Sequence, residues 1–325
     1  MSDQPAVDIS AAAEAAVAAE SAPVTTLPAS GVLESNTPPP SLPPPAKTSF
    51  GASIAAVPAH TDAFMAHLLR CLQTRAGADV VLQFACYSAR LSGSVLESLS
   101  RTALHHSAQK LVAMAFKLPP STTVLLSSAT TPPGAAVAMR IGAQLKALSG
   151  LLSEARTVNR LWGLLGLYFG LKRLALKSRA KKTDAEASAN AGESQFDSLV
   201  AYTQVLVLIF YQIFENLSYL GSKKVLNISP AMQGKLAVLS VKCWGGWIGI
   251  ELARLVVERS RKSGAEVKDA AWSSSWKKSF LRNLAWAPLT VHWSMPNGPL
   301  PDMAVSLLAM YPSTSQMVDL WRQTA

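Results

Sequence analysis

The sequence predicts an all-α, membrane-associated helical bundle with amphipathic helices, one to three membrane-embedded helices and a disordered N-terminus. Three observations lead to this fold class. The 325-residue chain is 49% hydrophobic and only 15% charged, whereas soluble domains carry about 25% charged residues. Apolar residues recur at helical spacing in several segments. Residues 199–214 form a run of sixteen residues without a charge.

The N-terminal part divides into three segments by composition. Residues 1–57 are rich in Ala and Pro, and they are predicted to be a disordered tail because they cannot bury enough apolar area to offset the entropy of ordering. Residues 58–118 are predicted to form N-terminal amphipathic helices, and Phe64 and Leu68 begin their apolar stripe. Residues 119–134, rich in Pro, Ser and Thr, are predicted to be a linker.

Residues 135–182 are predicted to be an amphipathic helix, then an apolar helix, with a basic flank. Apolar residues spaced by three or four form one face of the first helix: Val137, Ile141, Leu145, Leu148 and Leu152. Basic residues outnumber acidic ones on the opposite, polar face. This pattern is typical of a helix that inserts into one leaflet of a membrane. It equally fits a helix that packs its stripe on protein.

The apolar block 161–171 spans only about 16 Å as a helix, too short to cross the hydrocarbon core. We therefore expect it to dip into one leaflet. Basic residues around this region are predicted to contact anionic lipid headgroups: Arg140, Lys146, Arg156, Arg160, Lys172, Arg173, Lys177, Arg179, Lys181 and Lys182.

After a predicted loop at 183–196, residues 197–325 are predicted to be a membrane-embedded helical region. The best candidate span is Leu199–Gly221. Leu236–Val257 is a poorer one, because Lys242, Glu251 and Arg254 interrupt it. Glycines four residues apart allow helix backbones to approach in a membrane and predict helix association; these pairs are Gly166 with Gly170 and Gly245 with Gly249.

Charge and residue usage exclude several classes of function. The net charge is +10, and because the cations flank apolar runs we expect an anionic phospholipid membrane, and no nucleic acid, as the partner. No catalytic motif is present, so we expect no enzymatic activity, no cofactor and no metal. His67 and Cys71 lie at i and i+4, but they lack a third ligand in the sequence.

Three segments together resemble the peroxisomal biogenesis factor 11 (peroxin-11) family, particularly its fungal C-type branch. These segments are Arg156–Leu171, Phe210–Leu226 and Leu284–Gly298. The residues that carry the likeness include Trp162, Gly163, Glu215, Asn216, Tyr219, Pro288, His292 and Trp293.

This resemblance implies a peroxisomal membrane protein that remodels and elongates its membrane during peroxisome proliferation and fission. It also implies self-association, a fission adaptor and a dynamin-related GTPase as partners. Two alternatives stay open. One is an oligomeric channel for small metabolites in the peroxisomal membrane, suggested by the charges in the second apolar run. The other is a soluble basic scaffold.

Overall fold

A computed structural model of the chain describes residues 50–117, 119, 133–184, 191–262 and 264–325, and within these ranges the secondary structure is entirely helical. The helices are α1 (Phe50–Leu72), α2 (Arg75–Ala115), α3 (Pro133–Arg160), α4 (Gly163–Asp184), α5 (Ala191–Ser222), α6 (Pro230–Arg261), α7 (Gly264–Val267), α8 (Ala270–Trp293) and α9 (Asp302–Gln323). The predicted all-α class is confirmed.

Side chains at the helix starts explain several of these boundaries. The Thr74 hydroxyl accepts a hydrogen bond from the Gly77 amide at 3.0 Å and caps α2. Ser229 caps α6, and Pro230 occupies the first helical position, where a missing amide N–H costs nothing. The Asp269 carboxylate caps α8 by accepting from the Ala271 amide at 3.2 Å.

The helices pack in an order that differs from their order along the chain. Neighbouring pairs are α3 with α2, α2 with α9, α9 with α8, α8 with α6, α6 with α5, and α5 with α4. The pairs α2–α3, α5–α6 and α8–α9 are antiparallel hairpins. Their common core is aromatic: the Trp244 ring stacks on Trp293 at 5.7 Å and contacts Trp286, which in turn contacts Tyr87.

Several predicted segment boundaries shift in the structure. Helix α1 begins at Phe50, within the segment 1–57 predicted as a tail. The segment 135–182, predicted as two helices, indeed breaks at Leu161–Trp162. The predicted loop 183–196 is shorter, because α4 continues to Asp184 and α5 begins at Ala191. Residues 1–49 of the predicted tail and most of the linker, 120–132, lie outside the described residues.

Two helices are long and apolar enough to cross a membrane: Gln195–Ser222 of α5 and the whole of α6, Pro230–Arg261. They contain both candidate spans found in the sequence. A core helix of a soluble protein would be mostly buried, but only 17% of the apolar window of α5 and 28% of that of α6 are buried in the bundle. Most of each window is thus at least partly exposed, which indicates membrane association.

The α2–α3 hairpin is held by a close backbone crossing at two glycines. A Cβ atom on Gly93 would lie 2.8 Å from the Gly142 carbonyl oxygen, and one on Gly142 would lie 3.0 Å from the Gly93 carbonyl oxygen. Neither backbone can retreat without separating the helices. The glycines, which weaken each isolated helix, are therefore required by the packing.

Replacing Gly93 with alanine is expected to lower the free energy of unfolding by about 1–3 kcal/mol, because the new methyl group overpacks this crossing. Gly150 is the matched control, since a Cβ there would meet nothing within 4 Å. Gly150→Ala should raise stability by up to about 1 kcal/mol through helix propensity. Thermal unfolding in detergent micelles would compare the two variants, and equal effects would contradict the close crossing.

Candidate membrane-contact site

Helix α3 has its apolar side turned outward. Exposed apolar side chains follow one side of this helix, and we call them the outward stripe: Val137, Ile141, Leu148, Leu151 and Val158. Leu151 leaves 64% of its surface exposed. On the opposite side, the residues buried against α2 and neighbouring helices include Ser149, Arg156 and Arg160. A surface helix of a soluble protein has the reverse arrangement.

Three of the five predicted membrane-inserting residues belong to this stripe: Val137, Ile141 and Leu148. Leu145 and Leu152 are half-buried instead, because the buried face of α3 is rotated toward them. The sequence pattern places the centre of the stripe between the two groups. Leu151 and Val158 were missed, although the helical spacing of exposed apolar residues includes them.

Two buried ion pairs fix α3 to its neighbours. Arg160 donates from Nε to Glu215 Oε2 at 3.0 Å and from Nη2 to Oε1 at 2.7 Å, which joins α3 to α5. Arg156 donates from Nε to Asp79 Oδ1 at 3.1 Å, which joins α3 to α2. The Arg156 side chain has no exposed surface, and those of Arg160 and Glu215 are each only 2% exposed.

The predicted headgroup contact is therefore wrong for Arg156 and Arg160. Burial alone would lower the pKa of Arg160, but the adjacent Glu215 carboxylate raises it above its ordinary value. The guanidinium thus stays charged inside the bundle. The sequence carried a signal for this pairing, since Glu215 is an ionisable residue in an apolar helix and such a residue requires a partner.

Polar side chains continue from this pair to the break between α3 and α4. Gln212 donates from Nε2 to Asn216 Oδ1 at 2.7 Å, and Asn216 donates from Nδ2 to the Leu161 carbonyl at 3.3 Å. Gly163 allows α4 to begin against Gln212, because a Cβ there would lie 2.4 Å from Gln212 Oε1. Gln212 and Asn216 of α5 thus contact Gly163 and Leu161 at the helix break.

The residues that carry the family resemblance fall into two groups. Gly163, Glu215 and Asn216 form the contacts just described, and the Tyr219 hydroxyl donates to Glu154 Oε1 at 3.2 Å. Trp162, at the helix break, is 65% exposed and extends the outward stripe.

The second group lies in and after α8. Pro288 is within the helix, and Trp293 is buried in the aromatic core. His292 Nδ1 accepts a hydrogen bond from the Leu300 amide at 3.1 Å, and this contact closes the α8–α9 turn. These residues have clear packing roles, so their presence in the chain is explained by the fold itself.

The remaining cations differ in their availability to lipid. Lys146 is paired with Glu97 and, at 2.7 Å, with Asp302. Hydrogen bonding to Lys146 and Arg101 lowers the pKa of Glu97 despite partial burial. Side chains that are exposed on α3 and α4 are Arg140, Lys172 and Arg173. Lys177, Arg179, Lys181 and Lys182 lie on α4, but their side chains are outside the described part of the structure.

Exposed apolar side chains continue from the outward stripe along α4. Leu165, Tyr168, Phe169 and Leu176 each leave more than half of their surface exposed. The Tyr168 and Phe169 rings contact each other edge to face at 5.2 Å. The predicted leaflet-dipping block is thus an exposed apolar and aromatic surface, followed directly by the exposed Lys172 and Arg173.

The four glycines predicted to associate helices do not share one environment. Gly245 faces the Thr290 side chain of α8, with Oγ1 3.1 Å from a Cβ at this position. Among the residues that the structure describes, nothing lies within 4 Å of a Cβ at Gly166, Gly170 or Gly249. Association between copies through these three positions stays a prediction.

Aromatic rings and cations meet where α6 ends and α8 begins. Trp276 Nε1 donates to the Leu255 carbonyl at 2.8 Å, and Trp272 Nε1 donates to Glu258 at 3.2 Å. The Arg259 guanidinium covers the Trp276 ring at 4.7 Å. Such a cluster of tryptophans and cations is typical of the membrane–water interface.

His67 and Cys71 serve the C-terminal end of α9 in this structure. His67 Nε2 lies 3.0 Å from the Trp321 carbonyl, and its ring stacks on the Trp321 ring at 3.7 Å. Cys71 Sγ lies 3.2 Å from the Thr324 hydroxyl. Among the described residues, no group of three or more His, Cys, Asp or Glu side chains is placed to hold a metal ion.

The helical bundle with two apolar helices of membrane-spanning length defines a membrane-associated protein. Comparison with known proteins narrows this class no further. The chain is 26% identical, over 151 residues, to an uncharacterized protein of Schizosaccharomyces pombe. That alignment covers 46% of this chain and 62% of the relative, so the match spans less than two thirds of the relative's length. No family model matches the chain, and no solved structure matches it.

Proposed function

We propose that this protein shapes the peroxisomal membrane, elongating it during peroxisome proliferation and fission. The observation that carries the proposal is the inverted polarity of α3, whose outward stripe faces away from the bundle while its arginines lie inside. Removing apolar surface from water contributes about 25 cal/mol per Å², so a lipid leaflet is the favoured environment for this face.

The stripe lies on a protein that also has two helices able to span the membrane. Insertion of α3 and α4 into one leaflet widens that leaflet relative to the other, and this difference favours curvature. The exposed cations Arg140, Lys172 and Arg173 would contact phosphates of anionic lipids at the edge of the inserted surface. We call the inserted helices α3 and α4 the wedge. The spanning helices α5 and α6 anchor it, and the buried pairs Arg160–Glu215 and Arg156–Asp79 hold its orientation.

The peroxisome enters the proposal through the resemblance to the peroxisomal biogenesis factor 11 family. The same resemblance is the reason to expect a fission adaptor and a dynamin-related GTPase as partners. Self-association, for which Gly166 and Gly170 are available, would concentrate many wedges in one region.

The alternative function, an oligomeric metabolite channel, rests on Lys242, Glu251 and Arg254. In the structure the Arg254 guanidinium contacts Glu251 at 2.6 Å and Glu258 at 3.0 Å, and Gln204 donates to Glu251 at 2.8 Å. Lys242 is exposed on the outer side of α6. Because Glu251, Glu258 and Arg254 bind each other, their presence in an apolar helix is explained without a polar pathway. They therefore do not favour the channel.

Deletion of the gene in its own organism is expected to leave fewer and larger peroxisomes, and a fluorescently tagged copy should mark their membrane. Overproduction should draw the organelles into tubules. The control is a tagged copy with glutamate at Ile141 and Leu148, which should reach the same membrane without elongating it. A tagged protein on another organelle, with peroxisome number unchanged by deletion, would contradict the proposal.

A further inference from the structure

Helix α8 lies lengthwise against the membrane-length helix α6. At one end of the contact, Trp272 bonds to Glu258, and at the other Trp244 stacks on Trp293. Between these ends Gly245 faces Thr290. Residues 244 and 258 are about 21 Å apart along a helix. Wherever α6 crosses the membrane, α8 therefore occupies the same depth for about that distance.

Helix α9 returns antiparallel beside α8. The Lys278 ammonium contacts Asp319 at 2.7 Å, and Arg282 Nε donates to the Ser315 hydroxyl at 2.8 Å, near the start of α8 and the end of α9. At the other end, the His292–Leu300 hydrogen bond closes the turn. Helix α9 thus runs back along α8, which is the helix of this hairpin that packs on α6.

This hairpin combines small inward hydroxyl groups with an apolar outer side. Its inner side also supplies Trp286, Leu289 and Trp293 to the aromatic core. Hydroxyl groups face inward and bond to their own helix: Thr290 to the Ala287 carbonyl, Ser306 to Asp302 and Ser313 to Ala309, each within 2.8 Å. Small hydroxyl residues between closely packed helices are typical of membrane bundles. Exposed apolar side chains face outward along both helices: Leu281, Leu284 and Val291 on α8, and Leu307, Tyr311 and Val318 on α9.

The charges of these helices pair with each other. Lys278 and Arg282 of α8 both bind Asp319, which lies near the end of α9. They begin beside the cluster of tryptophans and cations at the end of α6, and Arg282 lies about 9 Å beyond Trp276 along α8. Residues 303–318 of α9 carry no charge and extend for about 24 Å, most of the roughly 30 Å of the hydrocarbon core.

We propose that α8 and α9 form a second membrane-spanning hairpin beside α5 and α6, with their outward side chains in contact with lipid acyl chains. The α8–α9 turn, residues 294–301, then lies on the same side of the membrane as the α5–α6 turn, residues 223–229. This inference rests on the membrane embedding of α6 that the proposed function includes.

Single cysteines test the side of the membrane on which each turn lies. In a chain whose Cys71, Cys86 and Cys243 are replaced by alanine, the exposed positions Val225, Lys268 and Asn297 are changed to cysteine one at a time. Cells are permeabilised at the plasma membrane only and treated with a membrane-impermeant maleimide, before and after detergent. A site that labels only after detergent lies on the far side of the organelle membrane.

The proposal expects Asn297→Cys to label together with Val225→Cys and opposite to Lys268→Cys. Labelling of Asn297→Cys together with Lys268→Cys, while Val225→Cys labels oppositely, would overturn the second hairpin and leave α6 as a span. If the Val225 and Lys268 variants label from the same side, α6 does not cross, and both the embedding and this inference fail.

Lipid contact has its own measurement. A nitroxide spin label at Leu284 is expected to collide with dissolved oxygen and not with a water-soluble nickel complex, because it faces acyl chains. The matched position is Leu289, which is fully buried in the aromatic core and should be shielded from both. A label at Leu284 that collides mainly with the nickel complex would place this face of α8 in water and overturn the proposal.

Discussion

Replacing Ile141 and Leu148 with glutamate is expected to abolish the tubulation of vesicles that contain anionic phospholipid. Each apolar side chain that inserts contributes about 1.5–3 kcal/mol when it leaves water, and two carboxylates on the same face make insertion unfavourable. Both side chains are exposed on the outward stripe. The folded bundle should therefore persist, while the membrane surface loses its wedge. Electron microscopy of reconstituted vesicles would count the tubules.

The matched control places the same charges on the same helix away from the stripe. Ala136 and Ala143 are exposed and small, and they lie on the flank of α3 that carries Glu154, so glutamates there change the net charge equally without entering the outward stripe. This variant should still form tubules. Circular dichroism should show unchanged helix content in both variants. Tubulation that survives the Ile141 and Leu148 changes would contradict membrane insertion by this face.

Replacing Arg160 with methionine is expected to lower the free energy of unfolding by about 3–5 kcal/mol, because the buried Glu215 carboxyl group would lose its partner. Removing both charges, with methionine at 160 and leucine at 215, should recover most of this loss. The unfolding midpoint in detergent micelles would be measured for both single variants and the double variant, which together give the interaction energy of the pair.

An exposed pair provides the comparison for this effect. Arg261 contacts Asp197 at 2.7 Å, and the Asp197 side chain is 60% exposed. Replacing Arg261 with methionine should therefore cost less than about 1 kcal/mol. Similar losses for the Arg160 and Arg261 variants would show that the interior pair is hydrated, and they would contradict its role in holding α3 against α5.

The fold class could be predicted from the sequence because local patterns determine it. The sixteen uncharged residues from Leu199 onward identify a membrane-length helix without tertiary information. The break between α3 and α4 was also indicated, since the amphipathic pattern ends where the apolar block begins. Element boundaries were less accurate, because the end of α4 and the start of α5 contain polar residues that resemble a loop.

The burial of Arg156 and Arg160 could not be predicted from periodicity. Their partners, Asp79 and Glu215, are 77 and 55 residues away in the chain, and only the tertiary fold brings them together. The rotation of α3 was misjudged for the same reason. Leu145 and Leu148 both belong to one apolar stripe in the sequence, but the position of α2 decides which is half-buried and which faces outward.

The arginine contacts of α3 also fix its azimuth, the angle about its own long axis. A free amphipathic helix can roll until its apolar side meets protein, and it then no longer disturbs the lipid. Here a roll of one residue, about 100°, would pull Arg160 away from Glu215 and Arg156 away from Asp79. Each copy therefore inserts a wedge of constant depth and direction. The bending of the membrane would then depend on the number of copies per unit area.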